Sequence, residues 1–198
     1  MDADWSVELG AEDPTLEFPW SSPDQPLAYI DLVDSPESLR RVDEGARYAE
    51  LGQFLRTLNS PSSPWLTAKC DIWLDEELGE AEQVYGLKLK LSSYVDLIRR
   101  GEKARFSFEQ HERWVKLAVR ALSTPDDLPA ACEFTVRRCW YHTQPIRRYQ
   151  KNSGTDDDLA PGYYITFYLF GYGNDEAQAR KRWREGLWRV TSTLSNLV

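Results

Sequence analysis

The segment Ala68-Lys69-Cys70-Asp71-Ile72-Trp73-Leu74-Asp75 alternates Ala, Cys, Ile and Leu with charged residues and Trp. Successive side chains of an extended strand point to opposite faces, so this period of two predicts a strand with one buried face. A second alternating run, from Tyr85 to Leu91, follows the acidic segment 76–82. The two runs and the short connection between them predict a β-hairpin.

The elements on either side of this hairpin follow from the same kind of pattern. Apolar residues at helical spacing after Asp34-Ser35-Pro36 predict a helix that ends before the Ser- and Pro-rich segment 59–64. The other predicted elements are a short strand at 27–33, a helix at 108–122, strands at 132–140 and 163–172, and a last helix from Asn174 to Leu197.

The order of these elements, β-α-β-β-α-β-β-α, predicts an α+β domain. Its sheet is expected to be antiparallel, with about five strands and with the helices on one face. Two topologies fit this order: a ferredoxin-like core with an added strand and helix, or two duplicated ββα units side by side. The ferredoxin-like core is the first choice and the pair of ββα units the second. A weak internal repeat of residues 65–122 and 129–194, in which Arg113-Trp114 and Arg182-Trp183 fall at equivalent positions, indicates a duplication.

Residues 1–26 differ in composition from the rest of the chain. They hold seven acidic residues, no basic residue and four prolines. Four prolines exclude a long helix, yet Trp5, Phe18 and Trp20 need an apolar surface. We therefore expect an irregular acidic arm that packs on a single α+β domain formed by residues 27–198.

The bulk composition limits the class of protein. The chain has 198 residues, a net charge of −8 and 41% apolar residues, and no stretch approaches the roughly 18 apolar residues of a membrane helix. The N-terminus lacks the basic and apolar pattern of a secretory signal, so we expect a soluble, cytoplasmic protein without a membrane partner. The odd number of three Cys predicts free thiols.

Motifs for catalysis and cofactor binding are missing from the sequence. It has no GxSxG, HExxH, P-loop or zinc-deaminase signature, so no catalytic residue and no cofactor is predicted. No metal site is predicted either, because Cys139 and His142 are three residues apart on a predicted strand and point to opposite faces. The acidic total and the lack of a strong basic patch argue against nucleic acid as a partner.

The sheet face that the helices leave open is predicted to be rich in aromatic side chains. A large aromatic patch does not stay bare in a soluble monomer, so the arm, a protein partner, a second copy of the chain or a ligand should cover it. The leading hypothesis is therefore a non-enzymatic binding or interaction protein. Its candidate binding residues are Trp73, Arg137, Tyr141, Tyr164, Tyr168 and Tyr172.

The alternative hypothesis is an enzyme or ligand binder that acts on a small anionic molecule. Arg138 and His142 share one face of the predicted strand, and Arg147 follows in the next connection. Cys139 lies beside two arginines and is expected to be exposed, as a reactive thiolate requires. Whether any catalysis occurs is left open by the sequence.

Overall fold

The computed structural model describes residues 1–20, 29–79, 82–83, 85–123, 128–142 and 159–197. The predicted α+β class is confirmed: helices pack on a single sheet of six strands. The strands are β1 (Asp2–Glu8), β2 (Leu16–Phe18), β3 (Trp65–Asp75), β4 (Leu89–Arg99), β5 (Ala130–His142) and β6 (Leu159–Gly173). The helices are α1 (Asp43–Arg47), α2 (Ala49–Leu58), α3 (Glu102–Arg105), α4 (Phe108–Leu122) and α5 (Glu176–Asn196), preceded by a 3₁₀ turn (Pro36–Arg41).

The strand order is β1-β5-β6-β4-β3, and β2 also pairs with β5. The pairs β3–β4, β4–β6 and β5–β6 are antiparallel, whereas β1 and β2 both run parallel to β5. The prediction of an antiparallel sheet of about five strands is therefore met only in part, because the N-terminal segment adds two parallel strands at the free edge of β5. The ferredoxin-like order was wrong. The repeat of residues 65–122 and 129–194 stays a prediction; the observed order is the one that two ββα units would form by pairing their second strands.

The predicted helix before the first hairpin is divided into three pieces. Val42 and Tyr48 adopt extended conformations between the 3₁₀ turn, α1 and α2. A Cβ atom on Gly52 would lie 2.6 Å from the carbonyl oxygen of Gly45, so α1 and α2 approach each other more closely than any larger residue would permit. The predicted strand at 27–33 is absent from residues 29–33, and residues 27 and 28 lie outside the described ranges.

The hydrophobic core lies between one face of the sheet and helices α2, α4 and α5. Phe54 of α2 contacts Phe167 of β6, with ring centroids 5.8 Å apart. Trp183 of α5 is fully buried, and its indole Nε1 donates a hydrogen bond to Ser93 Oγ of β4 at 2.8 Å. None of the described helices is long and apolar enough to cross a membrane.

Candidate functional site

The opposite sheet face, which we call the open face, carries side chains from alternate residues of β4 and β6. On these strands one set of residues, such as Leu97 and Ile165, enters the core, so the intervening residues must point away from it. Tyr94 and Tyr168 are such residues, and they lie directly opposite each other on the two strands. The open face is therefore the aromatic face that the sequence predicted.

The N-terminal residues cover one end of the open face. Leu16 and Phe18 of β2 form an apolar cluster with Tyr29, Tyr141 and Tyr164. The ring of Phe18 lies 4.8 Å from that of Tyr29 and 6.2 Å from that of Tyr141, both with edge-to-face geometry. Tyr141 and Tyr164 are consequently buried, so these two predicted binding residues lie inside the molecule.

Tyr172, another predicted binding residue, is buried at the other end of the open face. Its ring centroid lies 4.9 Å from that of Tyr85. The single hydrogen of the Tyr85 hydroxyl is shared between two acceptors, the Asp2 carboxylate and the carbonyl oxygen of Ala130 at 3.1 Å. Tyr172 therefore supports the β1 end of the sheet and does not reach the surface.

Arg137 is only 9% exposed and is held by three partners. Its guanidinium donates to Glu8 Oε2 at 2.8 Å, to Thr166 Oγ1 at 2.9 Å and to the Tyr168 hydroxyl at 3.1 Å. Thr166 in turn donates to Asp96 Oδ1 at 2.8 Å. This chain of hydrogen bonds holds Tyr168 in place from below, so Arg137 positions an aromatic side chain on the open face.

A series of neighbouring, accessible rings crosses the open face: Trp73, Tyr94, Tyr168 and Phe170, which we call the aromatic strip. Successive ring centroids are 6.5, 6.1 and 6.3 Å apart. Trp73 is 37% exposed, and its indole Nε1 donates to Asp75 Oδ1 at 3.1 Å. The other three rings are half-buried, so the strip is a continuous surface with fixed side chains.

Charged groups stand under and beside the aromatic strip. Lys90 Nζ lies 5.4 Å from the ring centroid of Phe170, within the range of a cation–π contact. Burial raises the pKa of the Asp96 carboxyl from 3.8 to about 6, although the Thr166 hydrogen bond and the Arg137 charge act in the opposite direction. Burial likewise raises the pKa of Tyr94 to about 12, so its phenol stays neutral at physiological pH.

A cavity of about 360 Å³ opens next to the strip, at the outer side of β3. Trp20 and Tyr94 form aromatic walls, and Lys69 Nζ lies 4.9 Å from the Trp20 ring centroid. The remaining walls combine apolar, polar and charged side chains of residues 30–44, of α2 and of β3: Ile30, Leu32, Arg41, Val42, Asp43, Glu44, Leu55, Thr67, Ala68 and Cys70. The cavity and the strip share Tyr94.

The residues of the predicted anion site lie on both faces of the sheet. Arg138 is exposed, and His142, on the same face, hydrogen bonds with Glu17. Cys139 lies on the other face and is only 1% exposed, because Leu16 of β2 pairs beside it. The expectation of an exposed, reactive thiol was therefore wrong, and burial raises the pKa of Cys139 to about 12. Arg147 lies outside the described residues.

Tyr94 was missed by the sequence analysis because the predicted strand ended at Leu91, whereas β4 continues to Arg99. The alternation of Val95 and Leu97 with Tyr94 and Asp96 was the signal that identifies it. Within the described residues, no three His, Cys, Asp or Glu side chains are grouped closely enough to hold a metal ion. The three Cys are all unpaired.

Comparison of the chain with protein-family models, with curated proteins and with solved structures finds no match.

Proposed function

We propose that this protein is an interaction protein that binds a partner protein through the aromatic strip. The observation that carries the proposal is the series Trp73, Tyr94, Tyr168 and Phe170, four neighbouring rings on a face that α2, α4 and α5 leave uncovered. Contiguous accessible aromatic surface of this kind marks sites of interaction in soluble proteins.

The composition of the strip is that of an interface centre. Trp, Tyr and Arg dominate the few residues that supply most of the binding energy in protein–protein interfaces. Hydrogen bonds hold Trp73 through Asp75, and Tyr168 through Arg137, before any partner arrives. A partner then finds side chains that lose little rotamer freedom on binding, which lowers the entropic cost of association.

The surroundings of the strip indicate what the partner should look like. Asp71 lies next to Tyr94 on the strand pair and is exposed, and Glu76 and Glu77 follow Trp73 as exposed carboxylates. Such a rim favours a partner whose apolar centre is bordered by Lys or Arg, since complementary charges steer association. The cavity beside Tyr94 offers a place for one anchoring side chain, as tight interfaces commonly use.

A displayed peptide library, selected on the folded protein, tests this proposal without a known partner. Peptides enriched on the wild-type protein should lose affinity for the double variant Trp73→Ala, Tyr168→Ala by a factor of about 30 or more, the effect of about 2 kcal/mol at an interface hot spot. Trp188→Ala is the matched control, because Trp188 of α5 is 69% exposed on the helical side of the molecule.

Two outcomes would contradict the proposal. If selected peptides bind the double variant as tightly as the wild-type protein, the aromatic strip is not the binding surface. Peptides that depend on Trp188 would move the interface to α5. Native mass spectrometry of the same proteins separates a second copy from a different partner, because a homodimer through the strip should dissociate in the double variant alone.

A further inference from the structure

Arg99, at the end of β4, is a charged side chain without a carboxylate partner among the residues that the structure describes. Its guanidinium lies over the ring of Trp65, with Cζ 4.7 Å from the ring centroid. Its Nη1 atom is buried and makes no hydrogen bond. A buried guanidinium hydrogen that lacks an acceptor raises the free energy of the folded protein. An acceptor on a bound ligand would remove this cost.

His111, in the first turn of α4, presents an unpaired atom to the same region. The residue is 1% exposed, and its Nδ1 lies 2.8 Å from the carbonyl oxygen of Ser107, which can only accept. Nδ1 therefore carries the hydrogen of the neutral ring, and Nε2 is left as a buried acceptor without a donor. Packed rings connect the two residues: Arg99 lies over Trp65, and Trp65 packs on Trp114, which follows His111 by three residues on α4.

Two indole groups complete the set of unpaired polar atoms. Trp65 and Trp114 pack edge to face with ring centroids 4.6 Å apart, and the Nε1 hydrogen of each is buried without an acceptor. Trp114 lies one turn after His111 on α4. This end of the core thus gathers three donors and one acceptor that no described residue satisfies.

Arg138 brings a second guanidinium to this end of the sheet. It lies opposite Tyr163 in the β5–β6 pairing, and continuing the β4–β6 register by two residues places Arg99 opposite Tyr163 on the other side. The Cα atoms of Arg99 and Arg138 are therefore two strands apart, about 10 Å. The ring of Tyr163 lies 5.9 Å from the ring of His111, and Arg138 is exposed with no carboxylate partner among the described residues.

The N-terminus of α4 adds positive potential at the same place. α4 has 15 residues, and Ser107 Oγ caps it by accepting from the backbone N–H of Gln110 at 3.3 Å. The first turn of a helix of this length favours an anion nearby. The buried imidazole of His111 belongs to this first turn, and the Tyr163 ring beside it stands on the strand next to Arg138.

We infer that Arg99, His111 and Arg138 form a binding site for an oxyanion that retains a proton, of which phosphate is the representative. The anionic oxygens accept from the guanidinium of Arg99 and face the charge of Arg138. The remaining O–H group donates to Nε2 of His111, the one acceptor in the set. Sulfate carries no proton at neutral pH, so it leaves this imidazole nitrogen unpaired and binds less well.

The inference is independent of the aromatic strip, which lies on the opposite sheet face. It shares Arg138 with the site predicted from the sequence but replaces Cys139 and His142 by Arg99 and His111. Neither replacement was visible in the sequence. The strand that corresponds to β4 was predicted to end at Leu91, before it reached Arg99. His111 was a lone histidine in a predicted helix, with no partner indicated by the sequence.

Proton NMR of the imidazole resonances tests the site directly. The chain has only two His, so a His142→Gln variant assigns the remaining imidazole signal to His111. Titration with inorganic phosphate at constant ionic strength should shift the His111 signal in a saturable way, and sulfate should do so at least tenfold more weakly. A parallel titration with O-phosphoserine below about pH 6, where its phosphate group retains a proton, distinguishes a free ion from a phosphate group on a larger molecule, and saturable binding of either supports the site.

Variants establish which residues bind the anion. Arg99→Gln should weaken phosphate binding about tenfold or more, as the loss of a charge-assisted hydrogen bond does. Arg138→Gln should weaken it less, and this exposed position keeps the test informative if Arg99→Gln does not fold. Arg120→Gln, at the other end of α4, is the control and should bind like the wild-type protein. Equal shifts with phosphate and sulfate, or phosphate shifts that persist in both Arg variants, would overturn the inference.

Discussion

Asp96 shows at the scale of a single residue how the open face is built. Its carboxyl group is buried under the aromatic strip, accepts a hydrogen bond from Thr166, and has its pKa raised by burial to about 6. The folded protein therefore holds the proton on Asp96 more tightly than the unfolded chain does. The resulting stabilisation is fully present below about pH 4 and is lost as the pH rises through about 6.

Asp96→Asn should remove this pH dependence, because the amide is neutral at every pH and its oxygen still accepts from Thr166. Relative to the variant, the free energy of unfolding of the wild-type protein should fall by up to about 3 kcal/mol between about pH 4 and about pH 8. Urea unfolding of both proteins at a series of pH values measures the difference, and other titrating groups cancel in it. Glu77→Gln, at an exposed position, should give a flat difference. A flat difference for Asp96→Asn as well would show that Asp96 titrates normally.

At the scale of the elements, local sequence patterns predicted α4 correctly. They missed the features of β4 and of the first predicted helix that depend on tertiary contacts. The amphipathic spacing after Ser107 predicts the helix from Phe108 to Leu122 as observed. Ser92 and Ser93 interrupt the apolar pattern of β4, and the buried hydroxyl of Ser93 accepts a hydrogen bond from Trp183 of α5. The division of the first helix at Val42 and Tyr48 likewise reflects packing between distant segments, which no local pattern contains.

The contact between α5 and β6 is so close that a single added methyl group, as in a Gly→Ala substitution, should disrupt it. A Cβ atom on Gly171 would lie 2.3 Å from the backbone nitrogen of Trp183 and 2.4 Å from the carbonyl oxygen of Ala179. Neither backbone atom can move alone, so Gly171→Ala should destabilise the protein by about 3 kcal/mol or more, at the upper end of overpacking costs. Gly79→Ala is the control, since a Cβ there meets only a side-chain oxygen at 3.6 Å. Equal melting temperatures for the two variants would contradict this packing.

At the scale of the whole molecule, the N-terminal residues belong to the sheet and to the cover of the open face. β1 pairs with β5 across more than a hundred residues, from Asp2 with Ala131 to Glu8 with Arg137. The sequence predicted that the segment needs an apolar surface but not that it forms strands, because the pairing depends on a distant edge. For the same reason it could not show that Leu16 and Phe18 bury part of the aromatic face and leave the strip open.

Deletion of residues 1–24 should therefore lower the free energy of unfolding by several kcal/mol. It removes Met1, Leu16 and Phe18, three largely buried side chains worth about 1.5–3 kcal/mol each. It should also expose Cys139, so that a thiol reagent under native conditions reacts much faster than with the wild-type protein, and it should promote self-association through the uncovered face. An unchanged melting temperature with unchanged thiol reactivity would mean that residues 1–24 neither stabilise the rest of the domain nor cover Cys139.

The position of a bound partner on the protein is the central claim, and hydroxyl-radical footprinting measures it most directly. The wild-type protein is oxidised with and without a saturating peptide from the library selection, and the modified side chains are mapped by mass spectrometry. We predict that oxidation of Trp73, Tyr94, Tyr168 and Phe170 falls on binding while that of Trp188 stays the same. Protection of Trp188, with the four rings of the aromatic strip oxidised as in the free protein, would contradict the account.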